Sequence, residues 1–229
     1  MDYITAALFV PIIQVLNLAC LTILSYSNDD TQLIKMISHL AGEKLSYRLF
    51  LCFNSFVFVL NLGVNHEILF RLSKRVSSSA TNSHREYRYH LWYFGQSVIP
   101  KLSFPFLLAL SVFDNDSYDI LHDYLVYLLV VPGYLQITIV TYVLTQCSKD
   151  SPSFTSKVTP TSLRIKRYLT LLLLSSGIIY LISSCFIDTR HPRDCPAYTI
   201  SSLGQWGVWL AGFFWHGSWY FELKVLNRV

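Results

Sequence analysis

Long apolar runs alternate with short polar segments along the chain, and the runs have the length of membrane-spanning helices. A helix needs about 20 largely apolar residues to cross a bilayer. Six stretches meet this requirement, at residues 3–26, 47–72, 91–113, 119–146, 168–187 and 197–220. The pattern predicts an all-α, polytopic integral membrane protein in which residues 1–229 form one domain of six transmembrane helices.

Composition supports this class and argues against several others. Of the 229 residues, 52% are apolar and 14% are charged, whereas soluble domains carry about 25% charged residues. A disordered chain is excluded, and a net charge of +4 without one basic patch argues against nucleic-acid binding. The five cysteines and seven histidines show no metal-ligand spacing, so the sequence predicts no metal site and no cofactor.

Basic residues are concentrated in alternate connections between the predicted spans. Twelve of the 18 Lys and Arg residues lie at 71–90, at 147–167 and in the C-terminal tail, five lie in the other connections, and Lys101 is inside the third span. Positive charge favours the cytosolic side of a membrane. Both termini are therefore predicted to be cytosolic, and the two basic segments are predicted to be solvated connectors.

Several polar residues interrupt the predicted second and third spans. Asn54, Asn61 and Asn65 fall within about 20° of one another on a helix of 3.6 residues per turn. This stripe fits either hydrogen bonding between helices or the lining of a cavity. Lys101 is near the middle of the third span, where a charge costs about 2.5 to 3.5 kcal/mol. Glu67, snorkelling or a lipid phosphate could compensate it.

The fourth and sixth spans carry further candidate side chains. His122 and Asp123 open the fourth span at the luminal boundary, where they suit proton relay, binding of a polar head group, or capping of the helix. Gln205 and His216 share one face of the sixth span, and Glu222 ends it. Ionisable groups inside a membrane are functional candidates by default.

Small residues predict close packing between the last two spans. Gly204 and Gly207 would let the sixth helix approach a neighbour, and Ser176 has the same effect on the fifth. Small residues allow helix backbones to come close where lipid gives no hydrophobic driving force. This interpretation is structural and assigns these residues no site.

Short motifs lie at intervals from Ile37 to Glu222, which is nearly the whole chain. They are Ile37-Ser38, Gly42-Glu43, Tyr47-Arg48, Phe94-Gly95, Ile120-Leu121-His122-Asp123, Arg190-His191, Cys195, Tyr198-Thr199, and His216-Gly217-Ser218 followed by Glu222. In order and spacing they resemble the post-GPI-attachment-to-proteins factor two family, within the wider Frag/DRAM/Sfk group of six-span membrane proteins.

The resemblance implies a role in lipid remodelling of GPI anchors, in which an acyl chain is exchanged, in the Golgi membrane or possibly the endoplasmic reticulum. The partners would be membrane lipids and the glycolipid of GPI-anchored proteins. The candidates for catalysis are His122, Asp123 and His216, and those for lipid binding are Arg48, Asn54, Lys101, Arg190, His191, Gln205 and Glu222. No catalytic motif stands alone, so whether the chain is an enzyme stays open.

The chain departs from the family pattern at four positions. Where the family carries ionisable groups, this sequence has Asn54, Phe58, Pro100 and Gln205. It therefore resembles a divergent member, and the neutral positions favour an alternative: a non-enzymatic lipid-binding or trafficking adaptor at lysosomal or plasma membranes. A third class, a small transporter, would need polar residues from several helices at mid-depth, where only Lys101 is clearly central.

Overall fold

A computed structural model describes residues 2–26, 44–78, 82–110, 115–150, 160–187 and 195–227. Its helices are α1 (Tyr3–Tyr26), α2 (Lys44–Ser78), α3 (Asn82–Tyr93), α4 (Ile99–Leu110), α5 (Asn115–Asp150), α6 (Pro160–Ser184), α7 (Pro196–Gly217) and α8 (Trp219–Leu226). A π-helical segment, Phe94–Val98, joins α3 to α4. The described part of the chain is all-helical, as the sequence predicts.

The outer surface of the bundle is apolar over much of its length. Ile23, Phe70 and Leu171 are among many large hydrophobic side chains that are exposed. Within the described residues, three helical segments are long and apolar enough to cross a membrane, namely Tyr3–Ile23, Tyr124–Asp150 and Pro160–Ser184. An apolar exterior of this extent is stable in lipid rather than in water. These features indicate a multi-pass membrane protein, and the six-span topology stays a prediction.

Several helices extend beyond the predicted spans into the basic segments. Helix α2 continues to Ser78 and α3 begins at Asn82, so most of the segment 71–90 is helical. Helix α6 begins at Pro160, within the segment 147–167. The prediction that these segments are connectors is therefore wrong for those parts. Hydropathy marks where a helix is apolar, whereas backbone hydrogen bonding continues into its polar ends, and proline is favoured at the first helical position.

Polar contacts join several helix ends at one end of the bundle, which we call the basic end. There the guanidinium of Arg88 on α3 pairs with Asp150 on α5, and Arg71 on α2 donates to Asn227 beyond α8. Arg167 on α6 donates from Nε to the hydroxyl of Thr145, at 3.0 Å. These contacts bring the two predicted cytosolic segments to a common end. Which side of the membrane that end faces stays a prediction.

The π-helical segment precedes a proline inside a continuous helical rod. Pro100 has no N–H, and in a regular α-helix its ring would clash with the carbonyl of Gln96, four residues earlier. The wider π turn accommodates the ring. A Cβ on Gly95 would lie 2.8 Å from Val140 Cγ2, so glycine lets this segment pack closely on α5.

Helices α6 and α7 pack closely through the small residues that the sequence singled out. A Cβ on Gly204 would lie 2.7 Å from the backbone nitrogen of Tyr180 and 2.9 Å from the carbonyl oxygen of Ser176. A Cβ on Gly207 would overlap the Ser176 side chain. The prediction of a close approach between these two helices is confirmed.

Candidate functional site

A cavity of about 160 Å³ lies inside the bundle, between α2, α4, α5, α6 and α7. Most of its wall is apolar and includes Val57, Phe58, Leu107, Leu129, Ile137, Leu173, Trp209 and Phe213. Its polar lining residues are Asn54, Asn61, Asn65, Ser103, Gln136 and His216. An apolar pocket with a few convergent polar groups is the usual form of a small-molecule or cofactor site.

Four polar atoms of this lining have no hydrogen-bond partner among the described residues. They are Asn61 Oδ1, Asn65 Oδ1, Gln136 Nε2 and His216 Nδ1. Asn65 and Gln136 are only 2% and 5% exposed. A buried polar atom left unpaired costs about 1–3 kcal/mol. Such atoms at the wall of a cavity therefore indicate a place where a ligand with polar groups would be stabilised.

The asparagine stripe on α2 divides into two functions. Gln14 on α1 donates from Nε2 to Asn54 Oδ1 at 2.9 Å, and Asn17 donates to Gln14 Oε1 at 3.5 Å. Asn54 thus links α1 to α2, and it also lines the cavity. Asn61 and Asn65 line the cavity with unpaired oxygens. Both interpretations of the stripe, hydrogen bonding between helices and cavity lining, therefore apply.

Aromatic rings form part of the cavity wall. The rings of Phe58 and Phe104 are stacked with centroids 5.4 Å apart. Those of Trp209 and Phe213 are 5.3 Å apart. Stacked and tilted aromatic pairs contribute about 0.5–1.5 kcal/mol beyond the area they bury. They give the apolar part of the cavity a stable, flat-sided surface.

A second polar cluster is completely buried near the basic end. Lys166 on α6 and Glu222 on α8 are both 0% exposed, and the ammonium lies 3.2 Å from each carboxylate oxygen. The ammonium also donates to Ser218 Oγ at 2.6 Å and to Ser162 Oγ at 3.2 Å. It stands 4.0 Å from the centroid of the Trp219 ring. The cluster fixes α8 against α6.

The sequence analysis identified Glu222 but not its partner. Lys166 was taken as one of the basic residues of a solvated connector, because it precedes the apolar part of its helix. A usable signal was the spacing of Ser162, Lys166 and Thr170, which are four residues apart and so share one helix face. All three are buried in the structure.

The predicted site residues occupy different parts of the bundle. His216 and Asn54 line the cavity. Gln205 is buried and lines a neighbouring groove between α5, α6 and α7, which shares Tyr134 and Trp209 with the cavity. Glu222 belongs to the buried ion pair. Two of the candidates thus meet at the cavity.

His122 is not near the cavity residues of its own helix. It is buried close to the start of α5, and Gln136 follows it by 14 positions, or about 21 Å along the helix axis. His122 and the cavity histidine, His216, therefore do not form one cluster. Among the described residues, no group of three His, Cys, Asp or Glu side chains is placed to hold a metal ion.

The remaining candidates lie on the surface or beyond the described part of the chain. Arg48 is exposed on α2. The side chain of Asp123, and both Arg190 and His191, lie outside the described residues. Their proposed roles stay predictions.

Lys101 lies on the outer surface of the bundle rather than in its interior. Its ammonium donates to Ser97 Oγ at 3.2 Å, and the side chain is exposed. Glu67 pairs instead with Arg71 on its own helix. Of the three groups considered as compensation for Lys101, Glu67 is therefore not found, and snorkelling or a lipid phosphate fits the exposed ammonium.

The helical bundle, its apolar exterior and the internal cavity define a multi-pass membrane protein with an intramembrane site. The family profile described as the Frag1/DRAM/Sfk1/Cwh43P N-terminal domain matches residues 4–226. The chain therefore belongs to this family. Comparisons with curated proteins and with solved structures found no match. Membership of the wider group is confirmed, and the resemblance to one branch of it rests on the motifs alone.

Proposed function

We propose that this protein binds a membrane lipid in the cavity and acts in the lipid remodelling of GPI anchors. The observation that carries the lipid-binding part is the set of unpaired polar atoms on Asn61, Asn65, Gln136 and His216 within apolar walls. A lipid has the matching division into a polar group and an apolar body. Burial of that body against the walls is favourable, at about 25 cal/mol per Å² of apolar surface when the alternative is water.

The position of the cavity favours a lipid over a water-soluble ligand. It lies among helices whose outward side chains are apolar, including two of the segments long enough to cross a membrane. A water-soluble ligand would lose hydration to mainly apolar walls without gaining enough polar contacts. A lipid already resides in an apolar medium and exchanges one apolar environment for another.

The GPI-anchor part of the proposal is supported by the motifs and by membership of the wider family. It places the protein in the Golgi membrane, or in the endoplasmic reticulum. If the chain performs acyl transfer itself, His216 is the cavity residue suited to accept a proton from a lipid hydroxyl. His122, about 21 Å further along α5 from Gln136, would act in a separate place, together with Asp123.

Rescue of cells that lack the family's own remodelling factor tests the proposal. The chain is expressed there, and surface GPI-anchored protein and the acyl chains of its anchor are measured by mass spectrometry. We expect the unmodified chain to restore saturated acyl chains and His216→Gln to fail. The matched control is His66→Gln, because His66 is an exposed histidine on α2. Absence of rescue by a chain that reaches the Golgi at normal level would refute the remodelling role.

A second candidate function is a lipid-binding adaptor without catalysis. The observation that favours it is the chemistry of the cavity wall: none of its described lining residues is an Asp, Glu, Lys, Arg or Cys. General acid–base work then rests on one histidine and one tyrosine. In the same cells an adaptor would leave anchor acyl chains unchanged, would lie at lysosomal or surface membranes, and would keep lipid binding in the His216→Gln variant.

A further inference from the structure

We infer that the cavity takes an uncharged lipid that carries a hydroxyl group, rather than a lipid with a phosphate head group. The inference rests on the proposed function, because it names the chemical class of the lipid bound there. In GPI-anchor remodelling it would assign the cavity to an uncharged lipid, and the inositol phosphate of the anchor would lie elsewhere.

The charge balance of the cavity excludes a phosphate on physical grounds. Its described lining residues include no lysine and no arginine. Of two nearby lysines, Lys166 is engaged by Glu222 and by two hydroxyls, and Lys101 is exposed on the outer surface. An anion in this cavity would be buried without a cation, and an uncompensated buried charge is strongly destabilising.

The unpaired atoms match a hydroxyl in both of its hydrogen-bonding roles. Asn61 Oδ1 and Asn65 Oδ1 are acceptors, and Gln136 Nε2 is a donor. A hydroxyl donates one hydrogen bond and accepts others, whereas a phosphate oxygen only accepts. A phosphate would therefore leave the asparagine oxygens unpaired and would repel them. Because each amide carries one donor end and one acceptor end, exchange of its oxygen and nitrogen leaves the match to a hydroxyl intact.

The arrangement of these groups allows one hydroxyl to meet several of them. Asn61 and Asn65 are one helical turn apart on α2, so their Cβ atoms are about 5–6 Å from each other. Gln136 and His216 reach the same cavity from α5 and α7. The apolar remainder of the wall would hold the body of the lipid. Diacylglycerol, ceramide and sterols share this chemistry.

Photocrosslinking of the full-length protein tests the inference directly. The protein is reconstituted in phosphatidylcholine nanodiscs with diazirine analogues of diacylglycerol, ceramide, cholesterol or phosphatidylinositol, and labelled residues are located by mass spectrometry. We expect at least one hydroxyl lipid to label cavity residues, and its unlabelled form to compete. Phosphatidylinositol is expected to label only outward-facing residues.

The variant that isolates the polar contact is Asn65→Leu. Loss of one hydrogen bond of about 1.4 kcal/mol corresponds to a tenfold weaker interaction, so we expect cavity labelling at limiting lipid to fall about tenfold. The matched control is Asn17→Leu, because Asn17 is an equally buried asparagine on α1 that does not line the cavity. The competition series on the unmodified protein stands even if a variant fails to fold.

The outcomes separate this inference from the proposed function. Labelling of the cavity by phosphatidylinositol, with none by the hydroxyl lipids, overturns the inference and leaves lipid binding in place. Absence of cavity labelling by every lipid overturns both. Labelling by one hydroxyl lipid supports the inference and identifies its source among the three.

Discussion

Lys166 and Glu222 form an ion pair in the interior of the bundle, with the ammonium 3.2 Å from both carboxylate oxygens and neither side chain exposed. They join α6 to the short helix α8. Ser162 and Ser218 complete the hydrogen bonding of the pair. A buried pair satisfied in this way contributes more to the position of α8 than to net stability, because desolvation offsets most of the attraction.

Removal of one partner should be far more damaging than removal of both. Lys166→Met leaves the Glu222 carboxylate buried without a cation, which should lower the free energy of unfolding by about 3–5 kcal/mol. The double variant Lys166→Met/Glu222→Gln should recover most of that loss. Thermal stability of the detergent-solubilised protein, followed by size-exclusion chromatography, measures both. A double variant no more stable than Lys166→Met would contradict the pairing.

The contact between α6 and α7 should tolerate no added methyl group. Gly204→Ala places a Cβ 2.7 Å from the backbone nitrogen of Tyr180, and overpacking of this kind costs about 1–3 kcal/mol. Gly133→Ala is the matched control, since a Cβ there meets nothing within 4 Å. The same chromatographic assay should show a lower midpoint for Gly204→Ala and an unchanged or higher one for Gly133→Ala. Equal midpoints would show that the two helices are not in close contact.

Two asparagines on one helix should respond in opposite directions to the same substitution. Asn65→Leu removes an unpaired oxygen from the cavity wall and should raise stability by about 1 kcal/mol in ligand-free protein. Asn54→Leu strands Gln14 Nε2 and should lower it by about 1–3 kcal/mol. Unfolding in graded denaturant distinguishes them. A loss of stability in both variants would mean that Asn65 has a structural partner.

The positive charge of the alternate segments predicts that both termini are cytosolic. A glycosylation acceptor sequence fused to either terminus should stay unmodified in mammalian cells, because the glycosylation machinery is luminal. The same acceptor sequence, on a long insertion within residues 111–114, should be modified. Gel mobility with and without glycosidase digestion measures each. Modification of a terminal tag would reverse the predicted orientation or change the number of spans.

The sequence was sufficient for features that depend on local periodicity. Helical class, the stripe of Asn54, Asn61 and Asn65, and the packing at Gly204 follow from residues spaced along one helix face. Such relationships need no knowledge of the partner helix, because the side chains concerned lie on the same element. The structure adds only which neighbour each face meets.

Features that depend on the pairing of distant helices could not be read from the chain. Lys166 has the appearance of a surface residue until α8 places Glu222 beside it. His122 and His216 looked like members of one site because both are ionisable and predicted near the membrane, but their separation depends on how far each lies along its own helix. The free ends of polar side chains at the cavity likewise appear only when four helices are assembled.

The π-helical segment Phe94–Val98 makes the length of this part of the chain as significant as its composition. A π turn holds one more residue than the equivalent stretch of α-helix, so removal of a single residue from it would restore a regular α-helix. That helix would carry everything beyond the segment rotated by about 100°. Ser103 would leave the cavity, and Pro100 would face the carbonyl that the wider turn now avoids. Homologous chains that share this cavity should therefore differ here by substitution rather than by insertion or deletion.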